Sequence, residues 1–104
     1  MIRHVVLIKF LPGATAGACK EALAALRALP SLIPEILAWS IGEQARVATK
    51  AYDVAEVSVF RSFKALDAFR AHPAHVKVRD MLAAIAVWHV VDYVYDPKED
   101  MLHD

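Results

Sequence analysis

A chain of 104 residues is one domain, and 12 basic against 12 acidic side chains, with neither sign clustered, exclude nucleic acid as a main partner, because phosphate binding needs a basic face. The apolar fraction of 58% exceeds the roughly 45–50% usual for soluble domains, so some apolar surface is expected to be hidden between subunits. Cys19 is the single cysteine, which rules out an intrachain disulfide and fits a reducing compartment.

Met1 to Phe10 contains Arg3, His4 and Lys9, so neither a signal peptide nor a membrane span is expected there, and the cytoplasm is the expected location. Ile2 to Phe10 is rich in valine, leucine and isoleucine and stops at Leu11-Pro12-Gly13, which predicts a strand and a turn. Thr15 is placed to cap a helix reaching about Leu29, which Pro30 is expected to end. A second strand is predicted from Ile36 to Glu43, with Gly42 at a bulge or turn. Residues 44–51 lack apolar periodicity and are expected to form a loop able to act as a flexible lid.

Tyr52 to Arg61 alternates and predicts a third strand; Ser62 then caps a short helix ending near Ala71. Pro73 suits the first turn of another helix, carrying Val76 and Met81. Val87 to Tyr95 is the fourth strand, and Pro97 closes a domain expected over residues 1–97. The polar tail from Lys98 to Asp104 is expected to be loose. The element order predicts an α+β, ferredoxin-like fold: a four-stranded antiparallel sheet with helices on one face.

Alternation places His4, Val6, Ile8 and Phe10 on one face of the first strand and Arg3, Val5, Leu7 and Lys9 on the other. The third strand divides into Tyr52, Val54, Glu56, Ser58 and Phe60 against Asp53, Ala55, Val57, Val59 and Arg61. Both faces have apolar centres, yet helices cover only one. Sheet-against-sheet homodimerisation is the expected remedy.

Histidine is the side chain whose charge changes near neutral pH, which singles out His4 and the segment His72-Pro73-Ala74-His75. With Pro73 in the first turn, His75 falls near the third helical position, where the positive helix end disfavours imidazolium. Neutral there, it can serve as a general base. Asp92 is the expected partner of a buried His4, because the first and fourth strands are neighbours in this fold. That pairing needs Trp88, Val90, Asp92 and Val94 to face the helices, and Glu56 adds polarity to the same face.

His4-Val5-Val6, Ile33-Pro34, Gly42, Val57-Ser58-Val59-Phe60-Arg61-Ser62, His72-Pro73-Ala74-His75 and Val91-Asp92-Tyr93 together resemble the stress-responsive A/B barrel domain (Dabb) family over about residues 2–97. The resemblance implies a dimeric α/β barrel. The family is functionally mixed; its plant member olivetolic acid cyclase closes a polyketide chain by intramolecular aldol condensation, and the family's two histidines match His4 and His75. The cyclase's other polar groups do not carry over. Phe69 and Leu26 stand at tyrosine positions and Val54 at a further histidine position, so that substrate is not implied.

The expected site is therefore His75 as base, His4 as an orienting or electrophilic group and Asp92 as its partner, with Glu56, Phe69, Trp88 and Val54 lining an apolar pocket. The expected ligand is a small hydrophobic carbonyl compound, with no cofactor. No Gly-rich phosphate loop, nucleophile elbow or flavin signature occurs. The competing class is a ligand-binding or stress-response protein with structural histidines. His72 and His75, three residues apart, offer a metal only a sparse donor set, and no metal is expected. His72 can equally cap the helix at Pro73, and His89 and His103 are assigned structural and disordered places.

Overall fold

The strand-forming runs and their Pro, Ser and Thr punctuation fold largely where they are written. The computed structural model describes residues 1–46 and 51–102. Its elements are β1 (Ile2–Phe10), α1 (Ala16–Leu32), β2 (Ala38–Glu43), β3 (Val54–Phe60), α2 (Phe63–Ala71), α3 (Pro73–Ala83) and β4 (Ala86–Val94). The strands pair antiparallel in the order β2-β3-β1-β4, the ferredoxin-like arrangement that the element order predicts. The centre of the predicted lid loop and His103 lie outside the described residues. Among the described residues, no helix is long and apolar enough to cross a membrane.

A side chain accepts from one of the free N–H groups that open each helix. Thr15 accepts from the Ala18 N–H at 3.1 Å, Ser62 from that of Ala65 at 3.2 Å, and His72 Nδ1 from that of Ala74 at 3.1 Å. His72 is thus the cap of α3, not a partner of His75. Pro30 does not end α1, as expected from its chemistry, but sits inside the last turn. Its missing N–H removes one bond near the helix end, and the ladder resumes with Ile33 N–H donating to the Leu29 carbonyl at 3.0 Å.

Gly42 makes no bulge: the β2–β3 register runs unbroken from Ala38↔Val59 to Glu43↔Val54. The predicted ends of β2, β3 and β4 shift by one or two residues, where turn hydrogen bonds compete with the ladder. Tyr52 is not on the face of Val54; its hydroxyl meets His89 Nδ1 at 3.3 Å. The chain has not yet entered β3 there, because Asp53 is engaged with the end of β1, its N–H donating to Ile8 and its carboxylate accepting from the Phe10 N–H. Nor is the tail loose at Asp100, whose carboxylate takes two hydrogen bonds from the buried Arg3 guanidinium, at 2.7 and 3.1 Å.

The helices cover one face of the sheet. Leu23, Leu26 and Leu29 of α1, Leu66 and Phe69 of α2 and Val78 and Leu82 of α3 pack on Ile2, Ile8, Val54 and Phe60 to make the core. Cross-strand pairing sets two rows side by side on this face: Trp39, Ser58, His4 and Asp92, then Ile41, Glu56, Val6 and Val90. Directly between them, pointing the other way, lie Val57, Val5 and Val91. That second face has no helix over it.

Candidate functional site

A cavity of about 230 Å³ opens between the covered face and the three helices. The helical period explains its roof: His75, Val78, Arg79 and Leu82 share one side of α3, and Leu26 and Leu29 one side of α1. His4, Glu56, Trp39 and Trp88 form the floor, Phe69 a wall, and Arg70 joins Arg79 as a second cationic lining residue. The volume lies below the roughly 300–1,000 Å³ of drug-sized sites, which limits an occupant to a small molecule.

His75 stands at the third position of α3, after Pro73. Its Nδ1 lies 3.1 Å from the Arg70 carbonyl oxygen. A carbonyl only accepts, so Nδ1–H donates and the lone pair resides on Nε2. Burial lowers the pKa of this histidine; the Arg70 carbonyl opposes the shift, and the Arg79 charge adds to it. Burial thus acts in the same direction as the expected effect of the helix start. The ring packs 4.4 Å from that of Phe69, centroid to centroid.

His4 is buried, 4% exposed, with its ring edge-on to Phe60 and Phe69. Its Nδ1 pairs with Asp92 Oδ1, as the strand parity requires, and Asp92 Oδ2 accepts from Arg70 Nη2 at 2.9 Å. Burial lowers the pKa of His4, with Asp92 opposing. The imidazole is then neutral at pH 7, Nδ1–H faces the carboxylate and Nε2 carries a lone pair. This favours the orienting role over the electrophilic one.

Glu56 is 2% exposed, with Oε2 4.0 Å from His4 Nε2. Burial pushes its carboxyl up to about 8; the Ser58 hydroxyl lies near enough to oppose the rise without reaching hydrogen-bond geometry, and the Asp92 charge adds to it. At neutral pH Glu56 is largely a protonated acid. Its Oε1, Ser58 Oγ and Trp39 Nε1 are buried without a hydrogen-bond partner.

Of the residues selected from the sequence, His4, His75, Glu56, Phe69 and Trp88 meet at this cavity, and Asp92 stands behind His4. Val54 does not line it: β3 carries this side chain into the core beyond the cavity, where it is 2% exposed. Arg79, Val78 and Leu82 were missed, although their spacing from His75 on one helix is legible. Trp39, which also lines the cavity, is not among the residues that the sequence singles out. Among the described residues, no group of three His, Cys, Asp or Glu side chains could hold a metal ion.

The model of the stress responsive A/B barrel domain matches residues 2–95. A dimeric ferredoxin-like protein of unknown function from Thermobifida fusca superposes with a TM-score of 0.81 at 25% identity, over 90% of each chain. The hydroxynitrile lyase of Passiflora edulis gives 0.79 at 19% identity, over 92% of this chain and 94% of that one. SnoaB, a cofactor-independent oxygenase from Streptomyces nogalater, gives 0.73 at 12% identity, over 91% and 92%. No match among curated proteins reaches significance.

Proposed function

The chain belongs to the stress responsive A/B barrel domain family, and from that membership and its pocket we propose a small cytoplasmic homodimer that performs cofactor-free acid/base chemistry on a small hydrophobic carbonyl compound. One observation carries this reading: His75 spends its only proton on the Arg70 carbonyl, leaving a basic Nε2 beside an apolar cavity.

In the proposed step, His75 Nε2 takes a proton from the carbon next to the carbonyl. The C–H electron pair becomes the new C=C bond, the carbonyl pair moves to oxygen, and the enolate so formed is opposed by the new imidazolium. Asp92 fixes the ring of His4, which borders the reacting group. Phe69 lacks the hydroxyl of a phenolic partner, so His75 acts without one.

The solved neighbour from Thermobifida fusca is dimeric, and the uncovered valine-rich face supplies the surface for self-association here. The lyase and the oxygenase are enzymes on this fold. A second reading has its own support: the edge-on packing of His4 against Phe60 and Phe69 suits a purely structural histidine in a ligand-binding protein.

Exchange of acetophenone methyl protons for deuterium, followed by NMR in heavy water near neutrality, separates the two. Wild type should accelerate exchange, and His75→Asn should reduce the enzymatic rate by about a hundredfold or more. Equal rates in the two proteins would leave the binding reading standing.

A further inference from the structure

We propose that Arg70 is the positioning residue of this pocket: its backbone carbonyl holds the Nδ1 proton of His75, and its guanidinium, through Asp92, holds that of His4. Each ring is thereby kept neutral with its lone pair on Nε2. This placement of protons stands on geometry; its use in catalysis rests on the reading above.

The break between α2 and α3 builds the first contact. Arg70 lies in the last turn of α2, where carbonyls lack the N–H groups that a continuing helix would supply. Of the residues that follow at helical spacing, Pro73 has no N–H, and Ala74 donates its own to His72 Nδ1. His75 reaches back with its side chain instead, Nδ1–H donating to the Arg70 carbonyl at 3.1 Å. The guanidinium of the same residue crosses to β4. Its Nη2 donates to Asp92 Oδ2 at 2.9 Å, and Asp92 Oδ1 accepts from His4 Nδ1–H.

Charge gives the second contact its effect. A carboxylate alone beside a histidine stabilises the imidazolium. Here Arg70 takes one of the two Asp92 oxygens, and its positive charge opposes protonation of His4 and of His75. The other titratable groups near His4 are Glu56 on β3, 4.0 Å from Nε2, and His75 on α3, which also feels Arg79. None of these is altered by a change at Arg70. The Arg70 side chain is 45% exposed, so its guanidinium can be removed without opening the core.

Histidine side-chain ¹⁵N–¹H spectra recorded across neutral pH test the assignment, with resonances identified by their absence from His4→Gln and His75→Gln. Wild type should show both rings as the Nδ1–H tautomer at neutral pH. Arg70→Met keeps an unbranched apolar stem and removes the charge. His4, left with Asp92 to itself, should then titrate at higher pH, and its imidazolium share at neutral pH should rise severalfold. Arg70→Lys restores a cation beside Asp92 and should bring the His4 curve back toward wild type. Water entering along a shortened side chain would raise the curve in both variants alike. His75, bonded to a backbone carbonyl, should stay the Nδ1–H tautomer throughout.

An Nε2–H or doubly protonated ring in wild type at neutral pH would overturn this role for Arg70. So would a His4 curve unmoved in Arg70→Met, one raised equally in Arg70→Met and Arg70→Lys, or a His75 tautomer that changes with the Arg70 side chain. Failure of deuterium exchange with the proton pattern intact removes the catalytic reading and leaves Arg70 its place. Exchange without the pattern does the reverse.

Discussion

The two faces of this sheet invert the usual distribution of polarity. Under the helices runs a row of Trp39, Ser58, His4 and Asp92, beside Glu56 in the next row; on the uncovered face, one residue along, the row is Val57, Val5 and Val91. Val91 is 62% exposed while Ser58 is fully buried. Folding alone favours the opposite arrangement, because burying an unpaired polar group costs free energy and burying a valine gains it. A covered polar row fits a site and an uncovered apolar row fits an interface, and each part of that contrast can be broken by a substitution.

The largest effect is expected at the packing that closes the polar row. Phe69 is 1% exposed and touches the rings of Phe60, Trp39, His4 and His75. Phe69→Ala should lower stability by about 3–5 kcal/mol in urea unfolding. A loss below about 1 kcal/mol would mean that the cavity and its walls are not a packed unit.

Next comes the pH dependence contributed by Glu56. Its folded pKa of about 8 lies above the ordinary value of 4.5, so between those limits the folded chain keeps a proton that the unfolded chain has released. The stability due to this group is complete below about pH 4.5 and is lost as pH rises through about 8. The slope approaches roughly 1 kcal/mol per pH unit inside the window. His4 and His75, whose pKa values are lowered, act with the opposite sign below their ordinary value of 6.5, so the comparison must be with Glu56→Gln. Stability of that variant relative to wild type should rise across the window; parallel curves would show that Glu56 is ionised in the folded protein.

On the uncovered face, Arg3, like Lys9 and His89, departs from the valine pattern, and it is buried by its own partners. Its guanidinium lies 4.0 Å from the centroid of the Tyr95 ring and donates to the Tyr93 hydroxyl at 2.9 Å as well as to Asp100. Asp100→Ala leaves that cation without its carboxylate and should cost about 2 kcal/mol. A change within about 0.5 kcal/mol would show that Asp100 does not hold the tail to the sheet.

The smallest effect on the fold of one subunit should come from Val91→Asp. This exposed position should move subunit stability by less than about 0.5 kcal/mol, yet a charge there should shift the sedimentation mass from dimer to monomer. A dimer that survives the substitution would place the interface elsewhere.

Much of the contrast was legible before the fold was known. Strand alternation put His4, Glu56 and Ser58 on one face and Val5, Val57 and Val59 on the other, because the side-chain period of a strand is two whatever the strand packs against. Ser62, Thr15 and the His72-Pro73 pair marked helix starts through local chemistry alone. The parity of β4 was not fixed by its own residues. It followed only from the assumption that Asp92 needed a partner, and pairing with β1 set it.

Other features depended on contacts distant in sequence. Asp100 is ordered by Arg3, nearly the whole chain away, which no reading of a polar tail reveals. The sequence by itself determined the elements, the two faces and the histidines that share one of them, since these follow from local periodicity and capping. Only the tertiary structure decided that Nε2 of His75 is the basic atom, that Val54 is core, and that Glu56 and Trp39 stand unpartnered at the same cavity. Proton placement and polar satisfaction depend on what lies within a few ångströms in space, and neighbouring strands supply that regardless of distance along the chain.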